Sequence, residues 1–173
     1  LINVAKMFIG SVYGGLGYVM IVVALFFAAI SGSGTATVAA VGSILIPAMI
    51  SEGYDKSFSG ALSAISGSLG TIIPPSISFV VYGMITGLSI GDLFISGFIP
   101  GILYALALCV IVFYYSRKYK WRGSLTKYTK KEKLKALGDA FWGILSPVIV
   151  LGGIYGGIFT ATEAAAVASV YSI

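Results

Sequence analysis

The stretch 31-SGSGTATVAAVGSILIP-47 follows directly on 16-LGYVMIVVALFFAAI-30, and that junction decides how the chain sits in a membrane. Two glycines, two serines and a threonine interrupt one of the most apolar runs of the sequence. Irregular backbone at membrane depth persists only where protein buries it or where it lines a polar cavity. The surrounding composition is that of an integral membrane protein: of 173 residues, 58% are hydrophobic and 10% charged, and the mean hydropathy is +1.00, far above a soluble domain.

There is no histidine, which removes the commonest proton relay and transition-metal ligand. The single cysteine, Cys109, lies within 93-LFISGFIPGILYALALCVIVFYY-115 and reads as a small core residue. The chain opens on Leu1 without a cleavable signal pattern and stops within a helical pattern at Ile173, so it is expected to be an excerpt of a longer polytopic protein.

Nine of the eleven basic residues fall between Arg117 and Lys135, which places that loop in the cytoplasm by the positive-inside rule. A nucleic-acid role for the same charge is not expected, since topology already accounts for a basic loop between apolar spans. Tyr114, Tyr115, Tyr119, Trp121 and Trp142 are expected in interfacial aromatic belts, and Thr129-Lys-Lys-Glu132 as the capping box of a short amphipathic helix on the lipid surface. Counting back from the loop, 93–116 spans the membrane, 89-SIGD-92 lies outside, 58–88 crosses once, and 51-SEGYDKS-57 returns to the cytoplasm. The segment 36–50 gives only about 22 Å of helix against a hydrocarbon core of about 30 Å. A re-entrant hairpin with arms near 16–30 and 36–50 and its tip at 31–35 is the economical solution, although two ordinary spans share its parity.

A second break, 67-GSLGTIIPPS-76, interrupts the span 58–88. Consecutive prolines remove two N–H donors, and Pro74 is expected to push Ile73 out of helical geometry, freeing carbonyls mid-span. At the hairpin tip, the first arm ends in carbonyls and the second begins with N–H groups and a positive dipole end, which suits a cation and an anion respectively. Paired discontinuous helices of this kind hold substrate and coupling ion in secondary transporters. By contrast, Gly10/Gly14, Gly152/Gly156 and Gly153/Gly157 read as small-residue helix-packing pairs.

The carboxylates fall in turns and in the surface loop: Glu52, Asp55, Asp92, Glu132 and Asp139. A carboxylate proton relay is therefore poorly supported, and an ion held by neutral oxygens, for which sodium is suited, fits better. Glu163 completes a capping box with Thr160. Enzyme readings fare badly: Tyr54-Asp55 resembles half of an intramembrane aspartyl protease signature, but its partner motif is absent, and an intramembrane serine protease needs a histidine. A channel is the harder alternative, since broken helices also line pores.

Taken in order, 30-ISGSGTATVAAVGSILIPAM-49, 52-EGYD-55, 70-GTIIPPSISFVVYG-83, 89-SIGDLFISGFIPG-101 and 157-GIFTATEAAAVA-168 resemble the large membrane subunit of tripartite ATP-independent periplasmic (TRAP) transporters. Members typically carry Pro where Ala161 stands. The resemblance implies an all-α, multi-pass protein of the bacterial or archaeal cytoplasmic (inner) membrane, one half of an inverted-repeat, elevator-type sodium symporter. It implies a small membrane subunit and a periplasmic substrate-binding protein as partners, besides membrane lipids, and a small organic acid such as a C4-dicarboxylate or sialic acid as substrate. The tip and 70-GTIIPPS-76 also resemble the sodium-site elements of divalent-anion/sodium symporters, which stay open as an alternative family. The expected sodium (Na+) residues are Ser31, Ser33, Thr35, Gly70, Thr71 and Pro74; the expected substrate residues are Ser33, Gly34, Thr35 and Ser76. Within a single transport domain, 1–57 is the arm and hairpin, 58–88 the broken helix, 93–116 a span, 117–139 the basic loop and 140–173 the start of a second half.

Overall fold

Apolar stretches that must satisfy every backbone group internally become helices, and the computed structural model, which describes residues 2–9, 12–121 and 130–171, is all helical among those residues. The elements are α1 (Ile2–Ile9), α2 (Gly15–Ser31), α3 (Gly34–Ser51), α4 (Lys56–Gly67), α5 (Leu69–Ile72), α6 (Ile77–Thr86), α7 (Ile90–Tyr119), α8 (Lys130–Tyr155) and α9 (Ala161–Tyr171). Among the described residues, three segments are long and apolar enough to cross a membrane: Gly34–Ser51, the broken Lys56–Thr86 and Ile90–Tyr119.

α2 is apolar on every side and accordingly sits at the centre, against α1, α3, α4, α5, α7 and α8. Leu16, Val19, Met20, Ile21, Ala24 and Ala28 are buried along it. Val41, Leu45 and Met49, each four residues on, bring α3 against this core, and Ala105, Leu108 and Val112 do so for α7. Cys109 is half-buried at the core margin. The outward faces of α6 and α7 carry exposed apolar side chains such as Ile85, Ile99 and Val110.

Several expectations need correction. α3 has 18 residues, about 27 Å by helical rise, so the second arm is longer than expected and its length no longer argues against a full span. Trp121 does not face outward as a belt residue would: it is buried, stacked on Tyr54 at 4.6 Å and packed on Phe58 at 4.8 Å, tying the α3–α4 turn to the end of α7. The chain reaches it through Lys120, a non-glycine residue at φ 54, and Gly14 N–H donates to Trp121 O at 3.0 Å. What Gly153 meets first is not a neighbouring helix but the Phe159 ring, 2.2 Å from where its Cβ would stand. α8 runs unbroken from Lys130 through the boundary placed at 139/140. Thr129 and Gly10 lie outside the described residues, whereas the Thr160/Glu163 capping box forms, with Thr160 N–H donating to Glu163 Oε2 at 2.8 Å and Glu163 N–H to Thr160 Oγ1 at 3.3 Å.

Candidate functional site: two interlocked helix breaks

The reversal between α2 and α3 takes two residues where five were expected. Gly32 lies at φ 60, ψ 12, and its N–H closes α2 on Ala28 O at 2.8 Å. Glycine enters this left-handed region without a Cβ penalty. Ser33 is extended, and its Oγ N-caps α3 by accepting from Ala36 N–H at 3.4 Å. Its carbonyl is a hub. It accepts from Thr37 N–H at 3.0 Å, from Thr37 Oγ1 at 2.8 Å and from Ser31 Oγ at 3.3 Å. Ser33 Oγ and Thr35 Oγ1 are 3.2 Å apart on the exposed side of the tip.

The second break follows the proline chemistry. Ile73 leaves the helix at φ −78, ψ 128, Pro74 is fully buried, and Pro74-Pro75 is a cis peptide. Ser76 is extended and buried, and its hydroxyl donates to Thr71 O at 2.7 Å, so one carbonyl released by the prolines is recaptured. Thr71 Oγ1 donates to Ser68 O at 2.8 Å.

The two breaks lie backbone against backbone. Ile77 N–H, the first of α6, donates to Gly32 O at 3.2 Å. A Cβ on Gly32 would fall 2.7 Å from Pro75 O, one on Gly70 2.6 Å from Ser33 O, and one on Gly34 3.0 Å from Gly67 O. On Gly67 it would strike Val38. Four glycines thus permit an approach that any side chain would block. Close backbone approach was expected at Gly70 and chain reversal at the tip glycines, but the contacts of Gly32 and Gly34 across to the second break, and the parts played by Gly67 and Thr37, were not expected; the i, i+4 spacing of Ser33 and Thr37 was the available signal.

Ser33, Gly34, Thr35 and Thr71 border a cavity of about 650 Å³ together with Ser68 and Ser78. Ser31 and Ser76 border instead a second cavity of about 350 Å³, shared with Phe94 and Ser146, which adjoins the first at Gly32 and Ile77. Gly70 and Pro74 are buried within the interlock. Among the described residues no charged one borders either cavity. The acidic groups do structural work elsewhere: Asp55 Oδ1 N-caps α4 by accepting from Phe58 N–H at 2.8 Å, and Asp92 lies in the first turn of α7. Glu52 closes α3, where burial raises its carboxyl above the ordinary range against the opposing pull of Lys6.

Such an arrangement defines a helical membrane protein built around paired discontinuous elements. All 173 residues match the family model described as "Tripartite ATP-independent periplasmic transporter, DctM component", and the chain belongs to that family. It is 50% identical over its full length to the isethionate TRAP transporter permease protein DctMQ of Oleidesulfovibrio alaskensis, of which it covers 27%. Over 99% of its length it is 47% identical to the C4-dicarboxylate TRAP transporter large permease protein DctM of Vibrio cholerae, covering 38%. Over 100% it is 43% identical to the ectoine TRAP transporter large permease protein TeaC of Halomonas elongata, covering 40%. The chain therefore spans well under half the length of these relatives, all of them named as transporter permeases and none as an enzyme.

Proposed function

We propose that this chain supplies one half of the ion- and substrate-binding core of a sodium-coupled organic-acid importer. The observation that carries the reading is the interlock itself: Gly32, Gly34, Gly67 and Gly70 hold two helix breaks together beside a cavity edged by Ser33, Thr35, Ser68, Thr71 and Ser78. Hydroxyl and carbonyl oxygens without a carboxylate suit a monovalent, hard cation, and broken helices offer such oxygens at transporter midplanes. The N-terminal end of α3 opens on the same cavity and offers a positive dipole to an anionic substrate group. Ser33, Thr35 and Thr71 are placed to meet the ion, with Ser33, Gly34 and Thr35 facing the substrate. Ser31 and Ser76 would act from the second cavity, and Gly70 and Pro74 by shaping the backbone.

In this reading α2 and α3 form a re-entrant hairpin, the body α2–α7 moves as one in an elevator-type cycle, and the complete inner-membrane protein works with a small membrane subunit and a periplasmic binding protein. Family membership removes the divalent-anion/sodium symporter alternative. Relatives named for isethionate and ectoine widen the substrate class beyond C4-dicarboxylates and sialic acid. The test is uptake by the complete transporter in proteoliposomes with its binding protein supplied. Accumulation against a substrate gradient, driven by inward sodium and abolished when sodium is equal on both sides, is expected. Uptake that only ever equilibrates would instead indicate a channel.

A further inference from the structure

At the other end of the molecule, away from the interlock, α1, the start of α2 and the end of α7 enclose a cleft of about 560 Å³ lined by Ile9, Val12, Tyr13, Tyr18, Phe113 and Arg117. Ile9, Val12 and Phe113 give this lining its apolar surface, and Tyr13, Tyr18 and Arg117 add two phenols and one guanidinium. Arg117 is exposed and lies over the Phe113 ring, 4.9 Å from its centroid, so the ring holds the side chain along the wall while the charge faces outward. Among the described residues no carboxylate lines the cleft. The position follows from charge: Arg117 opens the run of nine basic residues that marks the cytoplasmic side, and α7 ends two residues later at Tyr119. Apolar side chains beside a guanidinium, at the end of α7 that the basic run marks, match one class of occupant.

We propose that this cleft binds an anionic phospholipid of the cytoplasmic leaflet, its phosphodiester held by Arg117 with the Tyr13 and Tyr18 hydroxyls and its upper acyl chains lying on Ile9, Val12 and Phe113. Basic pockets between transmembrane helices on the cytoplasmic side recognise anionic headgroups in this way, and the planar guanidinium suits phosphate better than an ammonium would. The inference rests on the sidedness of α7, which cysteine labelling tests separately. A lipid seated here would join α1 to α7 across the base of α2, the central helix of the site.

The experiment uses the complete transporter, reconstituted in phosphatidylcholine with a minority of phosphatidylglycerol, then extracted and analysed by native mass spectrometry for retained lipid. The wild type is expected to retain phosphatidylglycerol in preference to phosphatidylcholine. Arg117→Gln should lower that retention about fivefold, the order expected for one basic residue at a membrane surface, and Arg117→Lys less. Lys118→Gln is the control, because Lys118 lies over Tyr119 outside the cleft. Val12→Trp, which fills the cleft without changing charge, should also displace the lipid. Retention unchanged in both Arg117→Gln and Val12→Trp, equal loss in Lys118→Gln, or no preference over phosphatidylcholine in the wild type overturns the proposal. Displacement by inorganic phosphate, where chloride of equal ionic strength has no effect, would show a free-anion site instead.

Discussion

Gly70→Ala puts the interlock to its most direct test. The added methyl would fall 2.6 Å from Ser33 O, 2.7 Å from Ser33 C and 2.8 Å from Thr37 Oγ1. Ordinary carbon–oxygen contacts lie roughly 0.7 Å further out, on the usual van der Waals separations. Two of the three atoms are backbone, so no rotamer change relieves the clash, and the tip must move as a unit. Overpacking of this kind costs about 1–3 kcal/mol. Moving the tip also shifts the Ser33 carbonyl relative to Thr71, and each 1.4 kcal/mol of ion binding lost weakens affinity about tenfold. Gly60→Ala on α4 is the control, since its methyl meets nothing within 4 Å and should stabilise the helix by about 0.5–1 kcal/mol. The assays are the sodium concentration for half-maximal uptake and the sodium-dependent rise in Tm of the purified complete transporter, which separates ion binding from folding through ligand linkage. A Gly70→Ala protein with wild-type half-saturation and a wild-type sodium-dependent Tm shift would refute the argument.

Ser33→Ala and Thr35→Ala should each raise the half-saturating sodium concentration, by about tenfold where a full 1.4 kcal/mol is lost. The loss at Ser33 should come with about 1 kcal/mol of destabilisation from the missing N-cap of α3, read as a lower Tm in sodium-free buffer. Thr37→Val keeps the shape of a buried side chain but removes its bond to Ser33 O, and should lower stability by about 1–3 kcal/mol as measured by thermal melting. For topology, cysteines at Ser51 and Ser89 should label from opposite sides of the membrane, the former from the cytoplasm. Labelling of both from one side would contradict the single crossing of α4–α6.

The helical class, the place of both breaks and a helix over 93–116 were legible in the residues, though α7 runs three residues further at each end, because a bilayer leaves an apolar chain few choices and Gly-Ser or Pro-Pro interruptions have local causes. Ile73 leaves the helix because Pro74 follows it, and Thr160 and Glu163 cap α9 because they stand three residues apart. The reversal at Gly32 was visible as a glycine in a polar tip, but its narrowness was not. Helix ends depend on capping bonds such as Ala36 N–H to Ser33 Oγ, which extend α3 at its start beyond its apolar run. What lies across the molecule could not be read at all. That Gly70 faces the Ser33 carbonyl, that Gly67 faces Val38 and that Ser76 turns inward to Thr71 O are results of packing between segments some thirty to forty residues apart in sequence or of a buried local fold. Trp121 shows the same limit in reverse. Its composition and position suited a membrane interface, yet Tyr54 and Phe58 offered a stacking surface that only the folded chain brings to it. Local sequence fixes where a backbone bends; only tertiary contact decides which bend it meets, because that depends on the close approach of atoms no local pattern records.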